Sequence, residues 1–463
     1  MAHPFDIAVA HSKLFRESLK DRAPRPDISA QALEARLGGP VPERGTPADV
    51  VIEALARAAD PGLVASPGRR FFGWIIGASH EAGVAADWLT SAWGQNAGLY
   101  AASPSAALAE KVSSRWLLEL LRLPEACSVG FVSGATMANF TCLAAARSAV
   151  LARAGWDVEA LGLWGAPRVR VLLGQDAHAS VFAALRFLGF GAEAPERIAT
   201  DKEGRMLASA LERALDADPS PAIVIAQAGQ INTGAFDPLR EIAALCEQRK
   251  CWLHVDGAFG LWARLCPELA HLTLGVERAD SWATDGHKWL QLPYDSGFAI
   301  VRDAAAHRRA MAISASYLPS NEYDPSHFAP ELSRRARGFA LWALLRTLGR
   351  TGLCEMVRRH CQLAQQLAGI LTAEPGVRVV NEVVLNQLIV RFGEDDAVTN
   401  AVIAELQAEN VCFAEGASWR EQRVMRVSII AGDLNDDDIK CLADAIVRSF
   451  CSTHARSAAR PSP

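Results

Sequence analysis

The sequence has few of the features that mark a membrane, secreted or nucleic-acid-binding protein. No apolar run reaches the roughly 18 residues that a bilayer-spanning helix needs, and the first residues lack the basic start and apolar core of a signal peptide. The ten cysteines form no C-x-x-C pair, which in a chain of 463 residues argues for reduced thiols and against disulfides or zinc. A formal net charge of −5 gives no electrostatic case for binding nucleic acid. We therefore expect a cytoplasmic protein that binds neither membranes nor nucleic acid.

What the chain does contain is a regular alternation of short apolar runs and helical patterns. Half of its residues are apolar and 21% are charged, which is typical of a folded globular protein. Strands that alternate with helices predict βαβ units and a mostly parallel sheet, buried on both faces. The seven strand candidates are Val129–Val132, Val169–Leu173, Arg197–Thr200, Ala222–Ala226, Trp252–Val255, Ser281–Ala283 and Phe298–Val301.

The pattern changes on either side of this region, so we expect several structural segments. At roughly 150 residues per domain, the length allows about three units. Residues 1–85 look helical and loop-rich, and we expect them to pack on the rest of the molecule or on a partner subunit. Residues 86–333 would form the large α/β domain, residues 334–451 a smaller α+β domain, and residues 452–463 a flexible tail. The strands expected in the smaller domain are Val377–Val380, Gln387–Phe392, Val411–Ala414 and Val424–Ile430.

Ligands of parallel α/β sheets bind beyond the carboxyl ends of the strands, and two candidate sites follow such ends. Ser133–Phe140 reads SGATMANF, a turn of small residues that opens a helix. Its free N–H groups, the helix dipole and the hydroxyl of Thr136 would together bind an anion, although an ordinary helix cap is the alternative. His178 follows a second strand in GQDAHAS. Its flat imidazole would stack on an aromatic cofactor, or else it serves as a surface or capping residue.

Two further features lie in the stretch Cys251–Ile300. Asp256 ends an apolar run, and a buried carboxylate needs a partner such as a protonated ring nitrogen, whose proton it would retain. The small Gly257 would let a flat ring approach; the alternative is a surface Asp that caps the next helix. Lys288, in ATDGHKW, is the side-chain type that forms Schiff bases, although a solvated loop lysine is the alternative. An anion turn, a stacking His, an acid for a ring nitrogen and an imine-forming Lys together indicate pyridoxal 5'-phosphate (PLP).

These motifs give the chain a resemblance to the PLP-dependent group II decarboxylases, the fold-type-I family that includes aromatic-amino-acid and glutamate decarboxylases. The most specific part is HVDGAFG followed by ADSWATDGHKW, supported by QDAHAS and GAFDP. The resemblance covers roughly residues 70 to 450. It implies a fold-type-I α/β architecture, with the seven-stranded sheet in the large domain.

The resemblance also implies roles for individual residues. Lys288 corresponds to the lysine that binds the cofactor, His178 to the histidine stacked on it, and Asp256 to the acid at its ring nitrogen. Ala258 corresponds to the small residue against the ring, and His287 to the histidine before the lysine.

The phosphate and the substrate reaction are assigned in the same way. Ala135 and Thr136 correspond to the phosphate turn, and Thr284 is included among the cofactor-binding residues. A tyrosine on a mobile loop after the lysine corresponds to Tyr317, with Tyr323 in reserve. Because that loop reaches the other subunit in the family, a homodimer is implied.

The resemblance implies decarboxylation of an L-amino acid to an amine and CO2, with Tyr317 returning a proton to the α-carbon. Other PLP reactions stay open: oxidative deamination to an aldehyde or ketone, aldol-type cleavage, or transamination, in which Arg426 would bind a carboxylate. A non-catalytic protein of the same fold is the remaining alternative. The family's Thr-Thr segment before GAFDP is here Gln230 and Ile231, and Asn232 or Thr233 would have to compensate. Apolar residues in Phe71–Ile76 and Trp88–Tyr100 favour an aromatic or bulky substrate.

Overall fold

The computed structural model describes residues 3–313 and 323–458. Contacts between Cα atoms divide these residues into two units. The large unit comprises the described residues of Gly77–Gln365 together with Val380–Ile389. The small unit comprises the described residues before Gly77 and after Gln365, except for the 380–389 segment. This division is coarser than the four segments expected from the sequence, whose boundaries stay a prediction.

Helices and strands alternate through most of the described chain. The α-helices are Pro4–Ser18 (α1), Ala30–Leu37 (α2), Ala48–Ala59 (α3), Glu81–Trp93 (α4), Pro104–Leu120 (α5), Ala135–Arg153 (α6), Val158–Leu161 (α7), Ala179–Phe187 (α8), Ala208–Ala217 (α9), Leu239–Arg249 (α10), Ala304–Met311 (α11), Gly338–Thr372 (α12), Asp396–Glu409 (α13) and Asp436–Ala458 (α14). The β-strands are Ser128–Val132 (β1), Arg170–Gly174 (β2), Glu196–Ile198 (β3), Ala222–Gln227 (β4), Trp252–Asp256 (β5), Ser281–Asp285 (β6), Gly297–Val301 (β7), Val377–Val379 (β8), Gln387–Phe392 (β9), Glu415–Trp419 (β10) and Gln422–Ser428 (β11). No helix of the described residues combines the length and apolarity needed to cross a membrane.

The large unit is built on the predicted seven-stranded sheet, with strand order β1-β7-β6-β5-β4-β2-β3. Strands β3, β2, β4, β5 and β6 run parallel to one another, whereas β7 is antiparallel to both β1 and β6. The sheet is therefore mostly parallel, as predicted. All five residues of β1, β5, β6 and β7 are buried. Burial on both faces explains the mainly apolar runs of β1 and β7, whereas β5 and β6 also bury polar side chains such as His254 and Thr284.

Helix α6 covers the centre of this sheet, where it contacts β5, β6 and β7. The side chains on its buried face are small; Ala138, Cys142 and Ala145 have no exposed surface. Small side chains let the helix axis approach the sheet closely, so the first turn of α6 lies near the carboxyl end of β6. This packing positions the predicted anion turn beside the predicted cofactor lysine.

A buried ion pair ties α5 to the segment before α12. The two terminal nitrogens of Arg334, Nη1 and Nη2, donate to the carboxylate of Glu110 at 2.7 Å, and the two side chains are only 2% and 1% exposed. A bidentate geometry of this kind offsets the desolvation of two charges, but removal of one partner leaves the other charge buried without compensation.

We expect Glu110→Ala to lower the free energy of unfolding by about 3–5 kcal/mol, because Arg334 would keep its buried charge without a partner. Urea unfolding followed by circular dichroism measures this change. The matched control is Glu119→Ala, whose partner Arg350 lies 2.7 Å away with side chains that are 70% and 49% exposed. That variant should lose less than about 0.5 kcal/mol, and equal losses in the two variants would contradict the expectation.

The small unit contains a four-stranded sheet with the order β10-β11-β9-β8. The strand predicted at Val411–Ala414 is wrong: the strand of this region is β10, which begins at Glu415 and forms a hairpin with β11. Positive φ angles at Arg420 (49°) and Glu421 (62°) make the tight turn of this hairpin. Helix α14 continues to Ala458, so residues 452–458, expected in the flexible tail, are helical.

Candidate active site

Lys288 lies in the turn that connects β6 to β7, and it is not a solvated loop lysine. Its side chain is 17% exposed, and its Nζ atom lies 3.0 Å from Asp285 Oδ2. Gly77 packs directly on this turn, since a Cβ atom at that position would lie 2.0 Å from the carbonyl oxygen of Lys288. The backbone that carries the amine is therefore held at the end of the sheet.

Asp285 is a residue of this site that the sequence analysis did not assign. Besides Lys288, its carboxylate contacts the backbone N–H of Ala135, which donates to Oδ1 at 2.5 Å, and the His287 Nε2 atom at 3.4 Å. The sequence could have indicated this residue by its spacing, because an acid three residues before a lysine can contact the lysine amine.

His287 is fixed by two neighbours. Its Nδ1 atom accepts the backbone N–H of Ser296 at 3.2 Å, and its ring lies against Tyr294 with a centroid distance of 4.3 Å. Burial lowers the pKa of His287, and the nearby Asp285 carboxylate raises it. The neutral ring therefore carries its hydrogen on Nε2, which faces Asp285.

A cavity of about 320 Å³ opens beside the amine of Lys288. It lies at the first turn of α6, whose N-cap residue Gly134 offers no side-chain cap. The lining residues are Ser133, Gly134, Ala135, Thr136, Met137, His178, Ser180, Asp285, His287 and Lys288. Five residues predicted from distant parts of the sequence thus meet around one cavity.

His178 is the N-cap residue of α8, where its Nδ1 atom accepts the backbone N–H of Ser180 at 3.2 Å. The capping alternative is therefore confirmed, but the same ring also lines the cavity. Because Nδ1 is an acceptor, the neutral ring carries its hydrogen on Nε2.

Asp256 ends β5 and is 4% exposed, so it is not a surface residue. Its Oδ1 atom accepts the backbone N–H of Ala258 at 3.1 Å, and Oδ2 accepts an amide hydrogen of Asn139 at 3.3 Å. Burial raises the pKa of Asp256, while the charge of His178 in its protonated form and the charge of Lys288 lower it. A cationic partner is what would keep this carboxylate ionised.

Thr284, predicted among the cofactor-binding residues, has no exposed surface. Its hydroxyl donates to the carbonyl oxygen of Ala258 at 3.5 Å, and the N–H of Asp285 donates to the same oxygen at 2.9 Å. Thr284 therefore supports the backbone of Ala258 at the end of the neighbouring strand.

The segment that departs from the family's Thr-Thr pattern uses its polar groups within its own turn. Gln230 Oε1 accepts the N–H groups of Asn232 at 2.6 Å and Thr233 at 3.0 Å. The hydroxyl of Thr233 donates to the carbonyl of Glu203 at 2.7 Å, and this side chain has no exposed surface. Thr233 is thus a buried turn residue and does not replace a substrate-facing threonine.

Three other predicted residues have outcomes of a different kind. Tyr317 lies outside the described residues. The reserve candidate Tyr323 lies against α5, with Lys111 Nζ 5.2 Å from the centre of its ring, and burial raises the pKa of its hydroxyl. Arg426 forms an ion pair with Glu415 in the small unit, which favours a structural role.

Comparison with known proteins agrees with this geometry. Residues 31–392 match the family model described as the pyridoxal-dependent decarboxylase conserved domain. The chain belongs to this family. It is therefore a PLP-dependent amino-acid decarboxylase, and neither the other PLP reactions nor a non-catalytic role is needed to account for it.

Individual relatives place the chain within this family of decarboxylases. It is 29% identical to an aromatic-L-amino-acid decarboxylase of Bacillus atrophaeus, with 85% of this chain and 82% of the relative covered. It is 31% identical to an acidic amino acid decarboxylase, GADL1, of Xenopus tropicalis, over 68% of this chain and 62% of the relative. The crystal structure of Oryza sativa TDC with PLP and tryptamine has the same fold, with a TM-score of 0.91, 23% identity and 97% of both chains covered.

Proposed function

We propose that this decarboxylase converts an aromatic L-amino acid to its amine and CO2. The observation that carries the substrate class is the composition of the cavity. Lys288 is the one lysine among its described lining residues, no arginine lines it, and Asp285 already pairs with that lysine. An acidic side chain would need a further cation for recognition. The likeness to the Bacillus enzyme supports the same choice.

The residues around the cavity fit PLP. The N–H groups and dipole at the start of α6 favour an anion, and the exposed hydroxyl of Thr136 adds a donor for the phosphate. Gly134 leaves room there, since a Cβ atom would lie 2.9 Å from His287 Cε1. The Lys288 amine can bind the aldehyde, and the buried Asp256 carboxylate suits a protonated ring nitrogen.

Each protein group then has a defined task. Bound PLP supplies the electron sink for breaking the bond between the α-carbon and the carboxylate of the substrate. Lys288 Nζ would hold the cofactor through its aldehyde. Asp256 would keep the ring nitrogen protonated, His178 and Ala258 would lie against the ring, and His287 holds Asp285 in place.

The fate of the α-carbon depends on which group returns a proton to it. We assign this role to Tyr317, because a phenol can donate its hydrogen to carbon and leave an amine as the product. Without such a donor, reaction with oxygen or protonation elsewhere gives an aldehyde or a ketone.

Amino-acid substrates followed by product identification provide the direct test. The enzyme should release CO2 and the amine from aromatic L-amino acids, with glutamate and aspartate as the acidic comparison. Preferred turnover of an acidic substrate would refute the proposed class. Tyr317→Phe should shift the product from amine toward aldehyde; release of amine at the native rate would exclude Tyr317 as the donor.

We expect Thr136→Val to weaken PLP binding about tenfold, because a hydrogen bond to a charged group contributes roughly 1.5–3 kcal/mol. Affinity for pyridoxal, which lacks the phosphate, should not change. Equilibrium titration by intrinsic fluorescence measures both constants. Thr347→Val is the matched control, because this exposed threonine on α12 only donates to its own helix at Ala343 O, 2.8 Å away. An equal loss for PLP and pyridoxal would contradict the assignment to the phosphate.

We also propose a cytoplasmic homodimer in which Tyr317 serves the active site of the other subunit. Mixing Lys288→Ala subunits with Tyr317→Phe subunits should then restore part of the amine production, since hybrid dimers contain one intact site. Light scattering gives the oligomeric state. Dimers that exchange subunits without restoring amine production would contradict the shared site.

A further inference from the structure

A chain of buried polar groups extends from Asp256 into the large unit, away from the cavity. Asn139 on α6 donates to Asp256 at 3.3 Å, and its Oδ1 atom lies 2.8 Å from His254 Nε2. His254 Nδ1 lies 2.9 Å from the hydroxyl of Ser281, which also accepts the indole N–H of Trp252 at 2.9 Å. Asn139, His254, Ser281 and Trp252 have no exposed surface.

The strand pairing explains why these groups meet. His254 and Asp256 are two residues apart on β5, so their side chains point to the same face of the sheet. Ser281 lies directly opposite His254 on the parallel strand β6, and α6 covers this face. The polar groups are therefore held by the sheet and its helix, and are not on a mobile loop.

With Asp256 ionised, the side-chain chemistry allows one consistent set of directions for these hydrogen bonds. An ionised Asp256 only accepts, so Asn139 must present its NH2 group to it and its oxygen to His254. His254 must then carry its hydrogen on Nε2, which leaves Nδ1 to accept the hydroxyl hydrogen of Ser281. The indole of Trp252 only donates, and it donates to the Ser281 oxygen. Every donor in this series of hydrogen bonds therefore lies on the side of its acceptor that is farther from Asp256.

We propose that Asn139, His254 and Ser281 are positioning residues that hold Asp256 as a carboxylate for the cofactor ring nitrogen, an inference that rests on the role proposed for Asp256. We call these three residues the buried relay. The buried relay prevents the amide of Asn139 from rotating. In the rotated state, the amide oxygen would face Asp256 and disfavour its charge.

The electrostatics of the buried groups agree with this function. Burial raises the pKa of Asp256 and so opposes its charged form, whereas the Asn139 amide lowers it. Burial lowers the pKa of His254 to about 3, so this ring is neutral across the working range and has a single hydrogen to place. Because the His254 ring is neutral and carries a single hydrogen, its hydrogen bonds set the orientation of the Asn139 amide and carry no charge.

Substitutions at His254 test the relay. His254→Phe keeps an aromatic ring but removes both nitrogens. It should raise the PLP dissociation constant about tenfold, the lower end of the effect of removing a hydrogen-bond partner from a metal-ligating side chain. It should also change the absorption of the bound cofactor toward that of an unprotonated ring nitrogen. His254→Gln offers one donor and one acceptor, and should recover most of both properties.

His307→Phe is the matched control. His307 also has no exposed surface, burial also lowers its pKa to about 3, and its Nδ1 atom lies 2.8 Å from the Ser128 hydroxyl. The hydrogen bond of His307 is to β1 and not to Asp256. This variant should unfold at a lower urea concentration than the native protein, with an unchanged dissociation constant and cofactor spectrum.

Two measurements complete the test. In native protein labelled with ¹⁵N-histidine, NMR should show His254 protonated at Nε2 alone; an Nδ1–H tautomer would overturn the proposal without any variant.

Adding His254→Phe to Asp256→Asn should cause no further loss of PLP affinity, because the relay acts only through the carboxylate. Additive losses of PLP affinity, or equal effects from His254→Phe and His307→Phe, would show that His254 only contributes to core packing. Failure of the Asp256 role itself appears separately, as an Asp256→Asn variant with native cofactor properties.

Discussion

Lys288→Ala is expected to abolish decarboxylation, with a loss of roughly 10³-fold or more in kcat/KM, because no other amine is placed to bind the cofactor aldehyde. Lys288 is the one lysine among the described residues of the cavity. The imine absorption should disappear at the same time, although the phosphate site should still bind the cofactor weakly. Measurements of CO2 release and of the visible spectrum of the dialysed protein give both results.

Lys288→Arg separates the charge of this residue from its reactivity. In the native protein the Lys288 amine lies 3.0 Å from Asp285. A guanidinium can keep this ion pair, but it cannot form an imine with the cofactor aldehyde. Lys288→Arg should therefore be as inactive as Lys288→Ala. Lys202→Ala is the control, because this lysine is 80% exposed and should leave turnover unchanged. A substantial rate in Lys288→Arg would show that the amine is not needed.

Asp256→Asn is expected to lower kcat by about 10²-fold or more, the size of a lost electrostatic contact to a developing charge. The amide fits the volume of the carboxylate but has no negative charge to keep the ring nitrogen protonated. Unlike Lys288→Ala, this variant should keep the imine absorption, because Lys288 is intact. Steady-state rates and absorption spectra of the reconstituted protein distinguish the two variants.

The electrostatic cause can be tested with a modified cofactor. PLP methylated on the ring nitrogen carries a permanent positive charge, so it no longer depends on Asp256 for protonation. Reconstitution of Asp256→Asn with this cofactor should recover part of the lost rate. No recovery, together with a normal affinity for the modified cofactor, would mean that Asp256 acts through position and not through charge.

The sequence was sufficient to predict the seven-stranded sheet, with strand ends within two residues of the observed ones. Buried strands such as Ala222–Gln227 appear as short apolar runs, and helices between the strands, such as Ala208–Ala217, show an apolar periodicity. Because ligands bind at the carboxyl ends of such strands, Asp256, Lys288 and the turn before α6 could be brought together without coordinates.

Features that depend on tertiary pairing could not be predicted in this way. Val411–Ala414 is apolar enough for a strand, but the hairpin turn at Arg420 sets the register and makes Glu415–Trp419 the strand instead. Asp285 contacts Ala135, which is 150 residues away in sequence, and only the packing of α6 creates that contact. The contacts of Asn139 with Asp256 and His254 depend on the same packing.

The position of β7 implies an order of events during folding. This strand lies between β1 and β6, and its pairing with β1 joins Ser128 to Val301, across most of the large unit's sequence. Gly297 on β7 also packs on Gly134, since a Cβ atom at Gly297 would lie 2.5 Å from the Gly134 Cα atom. Contacts between such distant residues form slowly, because a long loop must close first. The two halves of the cavity therefore meet only when β7 is inserted. The rate of PLP binding during refolding should measure this late step.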